Sequence, residues 1–597
     1  MSTNRKSLAI VFGLSLLTMG QLSGAVEASA SALPAGISFI APEQAVTVYQ
    51  LTDSLSVEVK SLLNEATSDG LRIAATIRMK STSSKVIKIP ETDMRVTTAD
   101  GYEYTLQASV FNAHAIRPNT TEELSYMATV DRKDQVSLTG LSWFSVDWYT
   151  YPKTETTLLN IPVSSNIWSG PLSEITEPEY KKTWGETFRI PNIDSPLVYT
   201  PVAVQKDTTQ QGTVTTVKLL VENPSGKKET LPEFSLDGRT ANQTGSDPNV
   251  FPGKRVEQGP ISLDPQEQRY IHYTVAIEKD TSLASLNLLT TETFKQLDAK
   301  GTPTQTSYSI GRLNIALPSG GQSDISIEGN AYEYNTPFRF DALSDAIDPN
   351  MDVSLVEMHM HENEGEGYQT VIGKFKLSNK GEQPLPLPQF QTKLVTESGL
   401  SYAGSRQTTT TQDIMPNTSY VISYSYIMPA EMKDRNFVLK LVDTKTAAPA
   451  STTIGAYRIS LQTNTVNEDE LSFYPFKVKM NLWQLSARTN MAPVTSPAPT
   501  TFSYKLKLDL DIERQEQVIV DQSFSKMTLE LVDPTGKLLS VKTLSFTGVN
   551  RLVSGTQIIQ FDNLKTDEQE YPLTVNIYES ITTPTGEAKR LVGSIKE

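Results

Sequence analysis

The amino-acid sequence predicts an all-β protein made of four tandem antiparallel β-sandwich domains. Short runs of alternating apolar and polar residues are separated by turn residues at intervals of about 8 to 12 residues, and few helical patterns occur. One stretch of the chain recurs without a gap later in the sequence. A length of 597 residues exceeds what a single hydrophobic core fills, which favours about four domains of about 150 residues each.

The repeated stretch runs from Pro90 to Tyr126 and returns from Pro388 to Tyr424. Nine residues are identical in this register: Pro90, Gly101, Tyr104, Ile116, Pro118, Asn119, Thr120, Ser125 and Tyr126 match Pro388, Gly399, Tyr402, Ile414, Pro416, Asn417, Thr418, Ser423 and Tyr424. A looser third copy begins at Leu231 and reaches Tyr273. Repeats of this length indicate tandem domains rather than a solenoid, whose periods are about 20 to 50 residues.

The first 30 residues have the features of a secretory signal peptide. Arg5 and Lys6 precede an apolar stretch from Leu8 to Leu17, and Ala28-Ser29-Ala30 offers a small-residue cleavage site. The apolar stretch is shorter than the ~20 residues that a membrane span needs. We therefore expect a secreted, extracellular protein that does not span the membrane and is retained non-covalently at the cell wall.

The remaining chain divides at changes in composition and at recurring landmarks. The predicted parts are β-sandwich 1 (33–163), an aromatic and proline-rich linker (164–195), β-sandwich 2 (196–318), β-sandwich 3 with its lead-in segment (325–462) and a divergent β-sandwich 4 (471–597). Ile310-Gly311, Ile454-Gly455 and Val592-Gly593 mark corresponding places near the ends of the last three sandwiches.

A proline precedes one strand in each of the three copies. Pro118, Pro265 and Pro416 fix φ and remove a hydrogen-bond donor, which ends the preceding strand and sets a turn. A tyrosine follows eight residues after each proline, at Tyr126, Tyr273 and Tyr424. The apolar face around each tyrosine predicts a buried ring whose hydroxyl needs a backbone partner.

These proline, glycine and tyrosine positions resemble those of immunoglobulin-like modules in bacterial extracellular proteins. The resemblance covers all four predicted domains and implies immunoglobulin-like sandwiches in which the tyrosine bonds back to the chain at a corner. It also implies a surface, adhesive or accessory role. Fold analogy alone does not choose among these roles.

Composition narrows the range of functions. The chain has no cysteine, which excludes disulfides, a thiol nucleophile and cysteine-ligated metals. Its formal net charge of −15 argues against nucleic acid or an anionic membrane surface as the partner. No catalytic motif was found: Gly399-Leu400-Ser401-Tyr402-Ala403 lacks the final glycine of a nucleophile elbow. We therefore predict neither enzymatic activity nor a cofactor.

One segment contains residues of the types that ligate metals. On a strand, Glu357, His359 and His361 share one face while Met358 and Met360 take the other. Two imidazoles and a carboxylate suit copper or zinc. The favoured alternative is an edge strand with a polar outer face and two core methionines, because a His-x-His pair lacks third and fourth ligands. No metal site is predicted.

The remaining ionisable candidates are interpreted as surface residues. Asp509, Asp511 and Glu513 alternate with apolar residues, which is typical of the solvated face of a strand. His114 and His272 are isolated in the sequence and are expected to point outward.

Aromatic residues are concentrated at the end of β-sandwich 1. If Phe144, Val146 and Trp148 form the inner face of a strand, then Trp143, Tyr149 and Tyr151 point outward. Exposed aromatic rings could bind cell-wall polysaccharide or another surface protein. The favoured alternative is that the linker 164–195 folds over these rings and seals a contact between domains.

Together these patterns predict a secreted, non-catalytic structural or binding protein of the bacterial cell envelope. The alternative is a carbohydrate-binding accessory protein that uses the exposed aromatics of the first domain, Trp143, Tyr149 and Tyr151.

Overall fold

The computed structural model describes residues 47–163, 167–209, 212–241, 249–278, 281–297, 301–318, 330–341, 343–363, 367–445, 451–463, 469–490, 501–514, 516, 518–564 and 571–597. The predicted signal peptide, residues 1–30, lies outside these ranges. The described residues contain strands, one 3₁₀ turn at Pro178–Tyr180 and no α-helix, and they belong to one unit, 45–597. The prediction of an all-β protein is confirmed.

Segment 1 (47–163) builds a continuous sheet around one core. Its strands are β1 (Tyr49–Thr52), β2 (Leu55–Thr67), β3 (Gly70–Ser81), β4 (Ile87–Lys88), β5 (Asp93–Thr98), β6 (Glu103–Ala108), β7 (Ala115–Ile116), β8 (Thr121–Val130), β9 (Leu138–Asp147) and β10 (Thr154–Pro162). The sheet has the order β1-β2-β3-β8-β6-β5-β9-β10, so β6 joins two halves, and β4 pairs with β7. Leu71, Ile77, Leu141 and Trp143 lie in the shared core.

A connection, residues 167–180, follows segment 1. It contains β11 (Ile167–Trp168), which pairs parallel with β2, and the 3₁₀ turn.

Segment 2 (181–318) has two main sheets. Its strands are β12 (Lys181–Lys182), β13 (Val198–Thr209), β14 (Gly212–Glu222), β15 (Glu229–Thr230), β16 (Ser235–Thr240), β17 (Val250–Phe251), β18 (Gly253–Arg255), β19 (Ser262–Leu263), β20 (Gln268–Ile277), β21 (Leu283–Leu297) and β22 (Pro303–Ala316). The sheet orders are β12-β22-β21-β16-β17 and β13-β14-β20-β18, and β15 pairs with β19. Phe188 and Ile190 lie in the core of this segment, so the second half of the predicted linker belongs to it.

Segment 3 (330–463) repeats this arrangement. Its strands are β23 (Asn330–Ala331), β24 (Met351–Asn363), β25 (Tyr368–Asn379), β26 (Leu385–Pro386), β27 (Phe390–Val395), β28 (Ser401–Ala403), β29 (Ser405–Arg406), β30 (Asp413–Ile414), β31 (Ser419–Pro429), β32 (Asn436–Asp443) and β33 (Thr452–Ser460). The sheet orders are β23-β33-β32-β27-β28 and β24-β25-β31-β29, and β26 pairs with β30.

Segment 4 (469–597) has two four-stranded sheets. Its strands are β34 (Glu470–Phe473), β35 (Phe476–Asn490), β36 (Thr501–Arg514), β37 (Val518–Ile519), β38 (Lys526–Val532), β39 (Leu538–Ser545), β40 (Gly555–Leu564), β41 (Thr574–Thr583) and β42 (Gly586–Lys596). The sheet orders are β34-β35-β36-β40 and β39-β38-β41-β42, whereas β37 adds in parallel to β31 of segment 3. In each of segments 2, 3 and 4, one buried cluster contains residues from both main sheets.

The duplicated stretch has the same turn conformation at two positions in both copies. Gly101 and Gly399 take φ values of 84° and 86° at the hairpin turn. Asn119 and Asn417, directly after the prolines, take φ values of 55° and 56°, and Gln266 in the third copy takes 64°. The predicted proline turns are confirmed. The residue after each proline adopts the left-handed backbone conformation, which asparagine tolerates well in two of the three copies.

The predicted tyrosines are buried in all three copies. The hydroxyl of Tyr424 donates to the carbonyl of Phe390 at 2.6 Å, and that of Tyr273 donates to Phe234 at 3.2 Å. Each hydrogen bond connects the two main sheets of its segment. The accepting carbonyl lies at the start of β27 in segment 3 and directly before β16 in segment 2. Tyr126 is buried at the equivalent position, and burial raises its pKa to about 12. Burial of the three rings is therefore confirmed.

Candidate binding surfaces and the junctions between segments

Trp143 is a core residue, which corrects its predicted outward orientation. Its side chain is 0% exposed and lies in the core of segment 1 with Leu141, two residues earlier on β9. Phe144 lies on the other face, where the guanidinium of Arg95 covers its ring at 4.4 Å. Adjacent aromatic residues make the sequence pattern compatible with either phase, and a shift of one residue inverts the two faces.

The tip of the β9–β10 hairpin presents three exposed aromatic rings. Trp148, predicted to point inward, lies just beyond the end of β9 and is 67% exposed. Tyr149 and Tyr151 are 101% and 102% exposed, in agreement with their predicted outward orientation. The ammonium of Lys153 lies 5.0 Å from the centre of the Trp148 ring. We call Trp148, Tyr149 and Tyr151 the aromatic tip.

The first half of the predicted linker seals a different surface. Trp168 of β11 is buried against Leu63 of β2, in a cluster that also contains Phe294, Tyr308 and Ile310 of segment 2. The linker therefore packs between segments 1 and 2, in agreement with the hypothesis that it seals a contact between domains. It leaves Tyr149 and Tyr151 uncovered, so the hypothesis is wrong for those two rings.

The junction between segments 1 and 2 has a centre of hydroxyl groups. Thr76 Oγ1 lies 2.8 Å from the hydroxyl of Tyr308, which donates to Ser125 Oγ at 3.0 Å. Ser125 Oγ in turn donates to the carboxylate of Glu292 at 3.2 Å. The ammonium of Lys60 in segment 1 lies 3.6 Å from the Glu292 carboxylate, so a chain of hydroxyl groups ending at an ion pair connects the two segments.

The junction between segments 3 and 4 has a centre of charged groups. Lys374 Nζ lies 2.7 Å from the carboxylate of Glu579 and 3.1 Å from that of Glu357. Arg590 lies 2.7 Å from Glu579 and 3.7 Å from Glu357. Burial opposes ionisation of Glu579, but Lys374 and Arg590 outweigh it and lower the pKa of this carboxyl to about 2.

The two junctions occupy equivalent positions, as the strand registers demonstrate. In each segment the first long strand has a one-residue bulge, at Lys60, Val202, Val356 and Asn481. The first pair after the bulge, which we call the face pair, is Ser61/Thr76, Ala203/Lys218, Glu357/Lys374 and Leu482/Asp509. The face pair lies on a surface that we call the edge face of the segment. In segments 1 to 4 this surface is formed by β2-β3-β8, β13-β14-β20, β24-β25-β31 and β35-β36-β40, respectively.

The last two strands of each segment have a matching bulge. It lies at Leu158, Ile310, Ile454 and Val592, three of which are the landmarks recognised in the sequence. The second pair beyond this bulge, which we call the hairpin pair, is Ser145/Thr156, Glu292/Tyr308, Asp443/Thr452 and Glu579/Arg590. In the first and third junctions, the face pair of one segment meets the hairpin pair of the next.

The junction between segments 2 and 3 follows the same rule. Burial lowers the pKa of Lys218, a face-pair residue, while the carboxylates of Asp341 and Asp443 in segment 3 act against this shift. Gln205, next to this face pair, accepts from the backbone nitrogen of Thr453 at 3.1 Å and donates to Ser451 Oγ at 3.2 Å. All three junctions between consecutive segments therefore use corresponding positions.

The histidine strand belongs to the third junction. Met358 and Met360 are buried in the core and β24 is an edge strand, as the favoured alternative predicted. The opposite face is covered rather than solvated. Burial, followed by the positive charge of Arg590, lowers the pKa of His359 to about 4. In the described part of the chain, no three His, Asp or Glu side chains are grouped to hold a metal ion.

His272 is buried, which corrects its predicted surface position. Its Nδ1 lies 2.7 Å from the carboxylate of Glu257, which also accepts from the backbone nitrogen of His272. A loop covers this face of β20, and a single sequence gives no sign of such a cover. His114, Asp511 and Glu513 are exposed, in agreement with prediction, and Asp509 is half-buried.

A cleft of about 230 Å³ lies beside the connection. Its lining includes Glu174, Lys181, Arg239, Asn287 and Asn314. The guanidinium of Arg239 donates to the backbone carbonyls of Leu172 and Ser173 at 2.9 and 2.5 Å. Arg239 therefore fastens the connection to segment 2.

No protein-family model matches the chain, and no curated protein matches it. No helix in the described ranges is long and apolar enough to cross a membrane.

Proposed function

We propose that this chain is an exported, non-catalytic structural protein of the bacterial cell envelope, in which four immunoglobulin-like sandwich modules are held in fixed series. Export follows from the predicted signal peptide. The cell wall would retain the protein non-covalently, as the absence of cysteine and of an apolar spanning helix among the described residues allows.

The observation that carries this proposal is the recurrence of one junction between all consecutive segments. Thr76–Tyr308 and Lys374–Glu579 are corresponding contacts in different chemical forms, and at the second junction the charge of Asp443 acts on Lys218. Flexible tethers between modules would need no such contacts. A role that depends on a defined spacing between modules explains why buried polar groups are placed at every junction, because such groups fix register more than they add stability.

The strongest clusters of ionisable groups serve these junctions, which favours a non-catalytic role. Glu357, Lys374, Glu579 and Arg590 neutralise one another inside a contact that leaves Glu579 and Lys374 buried. A general acid or base has to reach a substrate, and these four groups face each other instead.

Small-angle X-ray scattering of the purified chain tests the proposal. We expect a distance distribution that one fixed arrangement of the segments reproduces. Lys374→Glu places a third carboxylate beside Glu357 and Glu579 and should loosen the third junction, which raises the radius of gyration. Lys88→Glu, at an exposed pair with Glu91, is the matched control. A wild-type profile that requires many unrelated arrangements would overturn the proposal.

A second candidate function is carbohydrate binding by the aromatic tip. Trp148, Tyr149 and Tyr151 are the observation that favours it, because exposed rings stack on sugar faces. A glycan array probed with the wild type and with Tyr149→Ala/Tyr151→Ala is the test. Signal that both proteins share would eliminate this function for the aromatic tip.

A further inference from the structure

Within the described residues, each of the three junctions uses one edge face and one last hairpin. The last hairpin of segment 1, β9–β10, and the edge face of segment 4, β35-β36-β40, take part in none of these three junctions. These two surfaces are the complementary halves of the junction that recurs inside the chain.

The tip of the last hairpin makes contact in the existing junctions. At the first junction, the carbonyl of Lys295 accepts from the backbone nitrogen of Val110 at 2.9 Å, and the Lys295 ammonium lies 3.9 Å from the ring centre of Phe111. At the third junction, the carbonyl of Thr582 accepts from the nitrogen of Thr408 at 3.1 Å. In segment 1 the corresponding tip is the aromatic tip.

The edge face of segment 4 exposes apolar side chains at positions that are covered elsewhere. Leu482, a face-pair residue, is 54% exposed. Ile558 pairs with Lys507, as Met127 pairs with Ala74 in segment 1. Ile558 is 56% exposed, whereas Met127 is 5% exposed under segment 2. Ile558 is therefore exposed at the position where Met127 is covered by a neighbouring segment.

We propose that the free edge face of segment 4 binds the free β9–β10 hairpin of a second copy of this chain, so that copies associate head to tail. This inference rests on the proposed structural role and extends it from one chain to an assembly. One chain supplies both halves of the contact, and the three internal junctions provide its template.

Charge and shape at the equivalent positions suit this pairing. At the first junction, Phe294, Ile310, Ala74 and Met127 share one buried cluster. The register places Asp147 and Leu158 of the free hairpin at the positions of Phe294 and Ile310. On the free edge face, Lys507 and Ile558 take the positions of Ala74 and Met127. The contact therefore places Asp147 and Leu158 among the positions of Lys507 and Ile558, which supplies one pair of opposite charges and one pair of aliphatic side chains.

The hydroxyl pair of the free hairpin also suits its target. Ser145 and Thr156 form this hairpin pair, and Asp509 belongs to the face pair that they would meet. Two hydroxyl donors can satisfy one carboxylate. Because the two surfaces differ, the contact is heterologous and produces either a closed ring or an open chain of copies.

Sedimentation velocity of the purified chain over a range of concentrations up to about 100 µM tests the inference, since a Kd above this value corresponds to a weak contact. We expect a sedimentation coefficient that rises with concentration. Leu482→Lys/Ile558→Lys disrupts the edge face of segment 4 and should abolish this rise. Tyr149→Ser/Tyr151→Ser disrupts the tip of the β9–β10 hairpin and should abolish it as well. Val541→Lys, on β39 in the other sheet of segment 4, and Tyr102→Ser on segment 1 alter exposed residues elsewhere and should leave association unchanged.

Mixing the two double variants gives the sharper result. Each retains one intact half of the contact, so the mixture should form a 1:1 complex and nothing larger. A wild type that stays monomeric throughout the range overturns head-to-tail association, even if scattering supports a fixed series of segments. Association that survives both double variants overturns it as well, and glycan binding lost with Tyr149→Ser/Tyr151→Ser in a monomeric protein would assign the aromatic tip to sugar instead.

Discussion

Tyr308 and Arg590 occupy the same position in segments 2 and 4. At the centre of its junction, Tyr308 forms hydrogen bonds through its hydroxyl group, whereas Arg590 forms an ion pair. Tyr308 completes a chain of hydroxyl groups that ends at Glu292. Arg590 completes a charged network around Glu579. Since Glu292 and Glu579 are also equivalent, the same hairpin position holds a hydroxyl group in one junction and a guanidinium in the other.

Loss of one buried charge should destabilise the third junction strongly. Lys374→Met leaves Glu579 and Glu357 facing Arg590 alone, and a broken buried ion network costs about 3–5 kcal/mol. Urea unfolding of the full chain should therefore show an earlier transition. Lys88→Met, which breaks an exposed pair of similar length, should leave the curve unchanged. Equal midpoints for both variants would contradict the role assigned to the network.

His359 should make stability depend on pH between about 6.5 and 4. Burial and the nearby Arg590 and Lys374 lower its folded pKa to about 4, against the opposing pull of Glu357 and Glu579. Within that window the unfolded chain binds the extra proton, so the free energy of unfolding falls as the pH falls. The full shift corresponds to about 3 kcal/mol.

Thermal unfolding between pH 4 and 7 measures this effect. His359→Gln removes the titration and places a glutamine where segment 2 has Gln205, so its melting temperature should fall less steeply with acid. Glu579 begins to contribute its own loss below about pH 4.5, where the unfolded carboxyl binds protons while the folded one, with a pKa of about 2, remains ionised. Identical slopes for wild type and variant would rule out His359 as the source.

Trp143 and the aromatic tip should respond oppositely to truncation. Trp143→Ala opens a cavity in the core of segment 1, and loss of a buried aromatic ring costs about 3–5 kcal/mol. Tyr149→Ala/Tyr151→Ala removes fully exposed rings and should leave the melting temperature unchanged. Differential scanning calorimetry of the two variants separates these outcomes. An early transition in the double variant would mean that the tip supports the fold.

Local signals predicted much of the fold. The prolines before β8, β20 and β31 and the tyrosines that follow them are recognisable because each acts within a few residues of its own turn. The bulges at Ile310, Ile454 and Val592 were visible as recurring landmarks. Segment 1 has the same bulge at Leu158, but no glycine follows it, so the landmark was missed there.

The junctions could not be predicted in the same way. Thr76 and Tyr308 are 232 residues apart, and nothing local to either residue indicates the other. The strand pattern gives His272 the wrong orientation, because the residue that covers it, Glu257, belongs to an irregular loop. Trp143 was misplaced because its neighbour Phe144 is also aromatic, and only Leu141 upstream sets the phase of the strand.

The hydrogen bond of Tyr424 should contribute measurably to segment 3. Tyr424→Phe keeps the ring and removes the hydroxyl that donates to Phe390 at 2.6 Å. A buried hydrogen bond of this kind contributes about 1 kcal/mol. Tyr149→Phe, at a fully exposed ring, is the matched control. If urea unfolding gives the same midpoint for both, the bond between the two sheets has no net effect on stability.

Conversion of the ionic junction to a neutral one should cost less than breaking it. The variant Glu357→Ser/Lys374→Thr/Glu579→Gln/Arg590→Tyr gives the third junction the hydroxyl residues found at Ser61, Thr76 and Tyr308, and it removes all four charges together. Lys374→Thr alone leaves the carboxylates of Glu357 and Glu579 with Arg590 as the one remaining cation of the four residues.

The comparison depends on cooperation within the network. Removing one ion leaves an uncompensated buried charge, whereas replacing a whole buried network with neutral groups is often close to neutral. We therefore expect the fourfold variant to unfold at higher urea than Lys374→Thr. Residues in one network show effects that do not add, so the fourfold loss should be smaller than the sum of the single losses. If the losses add instead, the four residues act independently, and the correspondence between the two junctions is geometric without being energetic.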